Sequence, residues 1–253
     1  MIKEKNLRTP FNTILLNLVC SDLSVSILGN PITFTAALYR KWIFGRTVCV
    51  FYGFFMALMG ITSITTITVL SYERYLIITK PFSLKMMNNG HSKWVICGIW
   101  TYSFTLTFPP LIGWGDYVNE SANISCSVNW ENQDLWTTLY IIYLFVLGLA
   151  LPVFIICFSY VKIVLLLTQK RIPNSRVNKV DVRVSVMLAV MVIVFLLAWT
   201  PYAVLALMVA FVDPNIVSPA VSVIPALLAK SSICYNPIIY AGMNTQVNRM
   251  GVK

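Results

Sequence analysis

Long apolar runs separated by short polar ones occupy nearly the whole chain, at about 12–37, 46–77, 94–114, 135–167, 183–211 and 216–242. Each reaches or exceeds the roughly 18 to 20 residues that a helix needs to cross the hydrocarbon of a bilayer. The pattern therefore predicts six membrane-spanning helices in one helical unit. The chain opens on the polar stretch Lys3-Glu4-Lys5-Asn6, which is no apolar leader, so no cleavable signal is expected.

Composition strengthens that picture. Of 253 residues 58% are hydrophobic and 11% charged, against about 25% charged in an ordinary soluble domain. A soluble globular enzyme, a disordered tail and a fibrous protein are all excluded. The net charge of +10 is mostly a topology signal, because cytoplasmic loops of membrane proteins carry the excess of Lys and Arg. When alternate connections are grouped, one side holds Lys3, Lys5, Arg8, Arg74, Lys80, Lys85, Lys93, Lys162, Lys170, Arg171, Arg176, Lys179, Arg183, Arg249 and Lys253. The other holds Arg40, Lys41 and Arg46, together with the acids Asp116, Glu120, Glu131, Asp134 and Asp213. The first side is the cytoplasmic one. Nucleic-acid binding would instead need the basic residues gathered on a folded polar surface.

Cysteines divide in the same way. Cys20, Cys97, Cys157 and Cys234 lie inside apolar runs, where a thiol behaves as a small hydrophobe. Cys49 and Cys126 sit at or beyond outer helix ends, where an oxidising exterior permits a bridge. Two acceptor sequons, at Asn119 and Asn123, flank the second of these. The single histidine, His91, stands alone in a cytoplasmic loop and makes no metal site.

Ionisable residues inside a span cost roughly 2.5–3.5 kcal/mol at the bilayer centre, so each is a candidate for function. Lys230 lies about fourteen residues into the last run, a depth of about 21 Å that neither interface can easily relieve. Desolvation lowers the pKa of such an amine and makes it a nucleophile able to condense with an aldehyde. A salt-bridged lysine within the bundle, or one on an ion path, remains open on position alone. Asp22 is a second intramembrane charge, in the first run. Glu73-Arg74-Tyr75 stands at a cytoplasmic mouth, and Asn236-Pro237-x-x-Tyr240 puts a helix-distorting proline beside two polar groups on one face.

Taken in order, these landmarks resemble the rhodopsin-like receptors and, within them, the opsins. The resemblance covers essentially the whole chain: Leu18 to Asp22, the pair Cys49 and Cys126, Glu73-Arg74-Tyr75, Trp114, Pro152 with Tyr160, Trp199-Thr200-Pro201-Tyr202, and Asn236-Pro237-x-x-Tyr240. A lysine six residues before the Asn-Pro pair is the mark of an opsin, and here it is Lys230. The resemblance implies an all-α, seven-transmembrane-helix receptor bundle in one domain over 1–253, with helices two to seven present and the first missing. The wording around Glu73, Cys126 and Lys230 is most like the ciliary branch, especially encephalopsins and pteropsins.

Further expectations follow from the resemblance. The protein is expected to be a light-sensing receptor and no enzyme, in a plasma or photoreceptor membrane. Its cofactor is retinal, 11-cis in the dark and all-trans after light, held by Lys230 as a Schiff base. The glutamate that vertebrate visual pigments place three residues after the third-helix cysteine is Tyr52 here, and the family's other site, in the outer loop six residues before its cysteine, is Glu120, which the resemblance makes the expected counterion. Trp199, Tyr202 and Phe195 would contact the polyene, with Gly60, Ala226 and Ala229 leaving room. A Cys49–Cys126 disulfide, an Arg74 lock made with Glu73 and Asp181, Tyr160 and Tyr240 turning inward on activation, and a polar network joining Asp22 to Asn236 complete the set. Expected partners are a heterotrimeric G protein of the inhibitory or transducin-like kind, arrestin and a receptor kinase. A photoisomerase of the same family would share Lys230, whereas a receptor for a diffusible ligand would not need it; a microbial-type pump would lack Arg74 and the Asn236-Pro237 pair.

Overall fold

The computed structural model describes residues 10–79, 89–168, 179–213 and 218–243. Most of the basic residues used for orientation, among them Lys80, Lys85, Lys170 and Arg176, lie outside the described residues, as does the tripeptide Asn244-Thr245-Gln246, which resembles a ciliary G-protein contact with its middle lysine changed.

Six long helices follow one another among the described residues: α1 (Pro10–Leu38), α2 (Gly45–Thr79), α3 (Asn89–Thr107), α4 (Leu135–Thr168), α5 (Lys179–Phe211) and α6 (Pro219–Met243). All but α3 are apolar and long enough to cross a membrane by composition and length alone. The expected third span, 94–114, is corrected: α3 ends at Thr107 and a 3-10 turn, Pro109–Ile112, follows. Paired prolines cannot continue the helix, while Leu111 and Ile112 kept the apolar run going in sequence.

Two helices contain a wide π turn, Val25–Gly29 in α1 and Val146–Ala150 in α4. Each stands just before a proline, Pro31 and Pro152. A proline ring clashes with the carbonyl four residues back, and a wide turn relieves the clash while re-aiming the side chains beyond it. In α4 the Leu147 carbonyl is taken by the Tyr102 hydroxyl of α3 at 2.8 Å. Pro201 in α5 and Pro225 and Pro237 in α6 are likewise internal.

α2 runs through the middle of the bundle, packing against α1, α3, α4 and α5, while α5 and α6 form the closest helix pair. Its buried face, including Ile64, Ile67 and Leu70, meets Leu15 and Leu18 of α1 and Met187, Leu188 and Met191 of α5 in one core. Across the outer end lies a two-stranded antiparallel hairpin, β1 (Tyr117–Asn119) and β2 (Cys126–Val128), with Asn119 opposite Cys126. A disulfide joins Cys49 at the outer end of α2 to Cys126, their Cα atoms 5.5 Å apart.

Candidate functional site

Beneath the hairpin is a cavity with about 180 Å³ of water-accessible space, enclosed by α2, α4, α5, α6 and β2. Its wall is overwhelmingly apolar and aromatic. Among the described residues that line it, Lys230 is the one cation and Glu120 the one carboxylate. The two come from opposite layers, the lysine from α6 and the acid from the tight loop after β1.

The hairpin explains why Glu120 points inward. The Glu120 N–H donates to the Ser125 carbonyl at 2.9 Å and its carbonyl accepts from Asn123 N–H at 2.7 Å. That tight loop leaves the carboxylate facing the bundle: one oxygen accepts from the Tyr202 hydroxyl at 3.2 Å, the other from the Ser125 hydroxyl. A solvated loop acid would make neither bond. The hairpin is seated by Tyr117, fully buried, whose hydroxyl donates to the Thr107 carbonyl at 2.8 Å. Burial raises the pKa of that phenol. Gly53 of α2 permits the approach, because a Cβ there would meet the Tyr117 ring at 2.8 Å. Asn119 and Asn123, the two sequon asparagines, are exposed and bond to each other at 3.0 Å.

The expected lining residues Phe195, Trp199, Tyr202, Gly60, Ala226 and Ala229 all border the cavity. Phe195 and Trp199 stack with ring centres 5.8 Å apart, and the Trp199 indole N–H donates to Ser232 of α6 at 3.0 Å. A Cβ at Gly60 would lie 3.0 Å from the same indole, so glycine lets that large ring sit against α2. Tyr52 is placed differently: it does not line the cavity, but its ring lies 5.8 Å from Lys230 Nζ and its hydroxyl bonds to Thr33. No ion pair joins Lys230 to Glu120 among the described residues; the carboxylate is engaged by Tyr202 and Ser125 instead.

Trp130 went unnoticed as a cavity residue. It borders the cavity and donates from its indole N–H to the Tyr202 hydroxyl at 3.3 Å. Its signal is the alternation of Cys126, Val128 and Trp130, three positions that share one face of an extended strand.

A second cluster occupies the inner end. Arg74 is 5% exposed and lies 3.5 Å from Glu73 and 3.7 Å from Asp181 of α5. The Tyr160 hydroxyl donates to the Ser185 carbonyl at 3.3 Å, tying α4 to α5. Midway along the bundle, Asn236 donates to Asp22 at 2.9 Å and Ser63 to the other carboxylate oxygen at 3.3 Å. Tyr240 is buried in the core beside them, while Tyr75 faces Phe158 of α4 at 5.6 Å.

This bundle, with a covered cavity at one end and a buried arginine at the other, is that of a membrane receptor. Residues 1–240 match the family model described as 7 transmembrane receptor (rhodopsin family), and the chain belongs to that family. Within it the chain is an opsin: it is 37% identical to parapinopsin of Ictalurus punctatus over 250 residues, covering 97% of this chain and 72% of that protein. It is 33% identical to the "Rhodopsin, GQ-coupled" of Mizuhopecten yessoensis, covering 94% of this chain and 51% of that protein. The crystal structure of squid rhodopsin superposes with a TM-score of 0.90 at 31% identity, covering 98% of this chain and 76% of that one. The protein is accordingly an integral-membrane, light-sensing G-protein-coupled receptor. Opsin membership implies a retinal chromophore, and the cavity fits one: a mainly apolar wall that carries, among the described residues, one amine and one carboxylate.

Proposed function

We propose that this receptor detects light through retinal attached to Lys230 as a Schiff base, 11-cis in the dark and all-trans after illumination, with Glu120 as its counterion. The observation that carries the reading is the presence, among the described residues, of one cation and one carboxylate in the wall of a mainly apolar cavity. When bound, retinal supplies light absorption and a change of shape. The protein's own groups do the rest. Lys230 holds the chromophore and carries its proton. A charge in so apolar a wall needs an opposite charge nearby to remain ionised, and Glu120 supplies it. Tyr202 and Ser125 steady that carboxylate by donating hydrogen bonds to it. The hairpin, tied to α2 by its disulfide, lies over the cavity. Trp199, held between Gly60 and Ser232, is placed to feel the isomerisation and pass it along α5, which is weakened at Pro201.

At the inner end, outward movement of α5 carries Asp181 away and frees Arg74 for the G protein, with Tyr160 and Tyr240 turning in to support it. Asp22 and Asn236 join α1 to α6 along that route. A counterion in the outer loop also suits a bistable pigment, which keeps all-trans retinal and is reset by a second photon. An inhibitory or transducin-like G protein was expected from sequence, but one relative is named GQ-coupled, so the class of G protein is to be assigned by exchange assays with each. Arrestin and a receptor kinase follow from membership of the family. The whole chain acts as one receptor unit.

The test is a dark-minus-light spectrum after adding 11-cis retinal, with Lys230→Ala as control. A visible or near-ultraviolet band that vanishes in the variant is expected; a band that survives it would overturn the attachment.

A further inference from the structure

The inner-end arginine is held by more than its two acids. The Arg74 guanidinium lies over the Phe11 ring of α1, its central carbon 4.5 Å from the ring centre. Both ion pairs are long, 3.5 Å to Glu73 and 3.7 Å to Asp181, beyond the 2.7–2.9 Å of a close charge-assisted hydrogen bond. Among the described residues Arg74 Nε has no hydrogen-bond acceptor. An arginine that is 5% exposed therefore depends on what else neutralises it, and an aromatic face does so through its negative quadrupole.

We propose that Phe11 is a positioning residue for the receptor switch, a third restraint that keeps Arg74 in its resting place by a cation–π contact. The inference rests on the reading of Arg74 as the group released to the G protein. Its location makes the restraint distinct from the acid on α5. Asp181 leaves when that helix moves, whereas Phe11 belongs to α1, which packs along α2. Phe11 thus opposes release from a helix other than α5. The ring also packs on the core that contains Ile67, Leu70 and Met187, so its orientation is set by burial. A cation–π contact between a buried arginine and a partly buried ring is less sensitive to salt than an exposed ion pair, which gives the switch a hold that ionic conditions loosen less.

The experiment replaces Phe11 in the retinal-loaded receptor by pentafluorophenylalanine through nonsense suppression, which keeps the ring and reverses the sign of its face. Dark nucleotide exchange on the G protein should rise about fivefold, the change that a contact of this class controls, while the dark absorption band stays in place as a check on folding. Phe11→Trp, which offers a stronger face, should give dark exchange at or below that of the wild type. A fluorinated variant with the wild-type dark rate overturns the proposal, and so does an equal rise in both variants, which would mark packing alone. Arg74→Gln separates the two levels of the argument. If it abolishes light-driven exchange while the fluorinated ring changes nothing, only the role of Phe11 fails. If light-driven exchange survives Arg74→Gln undiminished, the reading of Arg74 itself fails.

Discussion

The two ends of the bundle are held by different kinds of force. At the outer end a covalent bridge, a paired hairpin and hydrogen bonds from Tyr117, Tyr202 and Trp130 fix the cover over the cavity. At the inner end Arg74 is kept in place by two long ion pairs and one aromatic face. The first arrangement is costly to disturb and suits a site that must hold a chromophore in one geometry. The second is a balance of weak contacts among three helices, and a small displacement of one of them tips it. Rigidity where the signal is received and marginal restraint where it is delivered is what a bistable element requires.

The largest effect is expected at the outer end. Glu120→Gln removes the one carboxylate among the described residues that line the cavity, so the attached amine loses its balancing charge. Visible absorbance at neutral pH should disappear in favour of a near-ultraviolet band; a wild-type spectrum would move the counterion elsewhere. Next comes the bridge. Cys126→Ser opens a link across 77 residues of sequence, and loss of such a constraint costs about 2–4 kcal/mol. Thermal loss of the chromophore should accelerate markedly, whereas a variant as durable as the wild type would show that the hydrogen bonds alone hold the cover.

How much of this was legible beforehand differs between the two ends and follows from periodicity. Six spans could be read because each apolar run is long enough to stand alone, and the error at 94–114 arose where Leu111 and Ile112 carried apolarity past the Pro109-Pro110 break. The π turns left no mark in hydropathy; only the nearby prolines hint at them. Lys230 and the two cysteines stood out because a charge or a thiol in such surroundings is conspicuous, whereas Glu120 was marked only by the family resemblance, six residues before Cys126. Phe11 and the Ser232 contact with Trp199 did not stand out, because one aromatic or hydroxyl among many has no distinctive spacing. Their roles depend on which helices meet, and that information is tertiary.

A smaller effect is expected at the inner end. Asp181→Asn removes the α5 half of the restraint but leaves Glu73 and Phe11 in place. The side chain of Asp181 is 33% exposed, so solvent already screens the pair. Dark nucleotide exchange should rise by less than about tenfold, with the absorption band unmoved. A rise to the full light-driven rate would mean that Asp181 alone held the switch, and the contrast between one firm end and one finely balanced end would have to be redrawn.

The smallest effect concerns where the outer cover hands over to α4. Asp134 caps that helix, accepting from the backbone N–H groups of Trp136 at 2.8 Å and Thr137 at 3.1 Å and from the Thr137 hydroxyl at 2.6 Å. The Thr137 hydroxyl above all, then the Thr137 amide, lowers its pKa below the usual 3.8. A depressed carboxylate adds stability that is complete above its unfolded pKa and is lost as pH falls through the folded one. The contribution is therefore present at neutral pH and disappears only below about pH 4. Asp134→Ala should lower the melting temperature slightly at pH 7 and leave it unchanged once the acid is protonated in both states. Because the group is fully exposed, the difference should be near the limit of detection. A large loss at neutral pH would show that the start of α4 carries the outer cover in a way the disulfide does not.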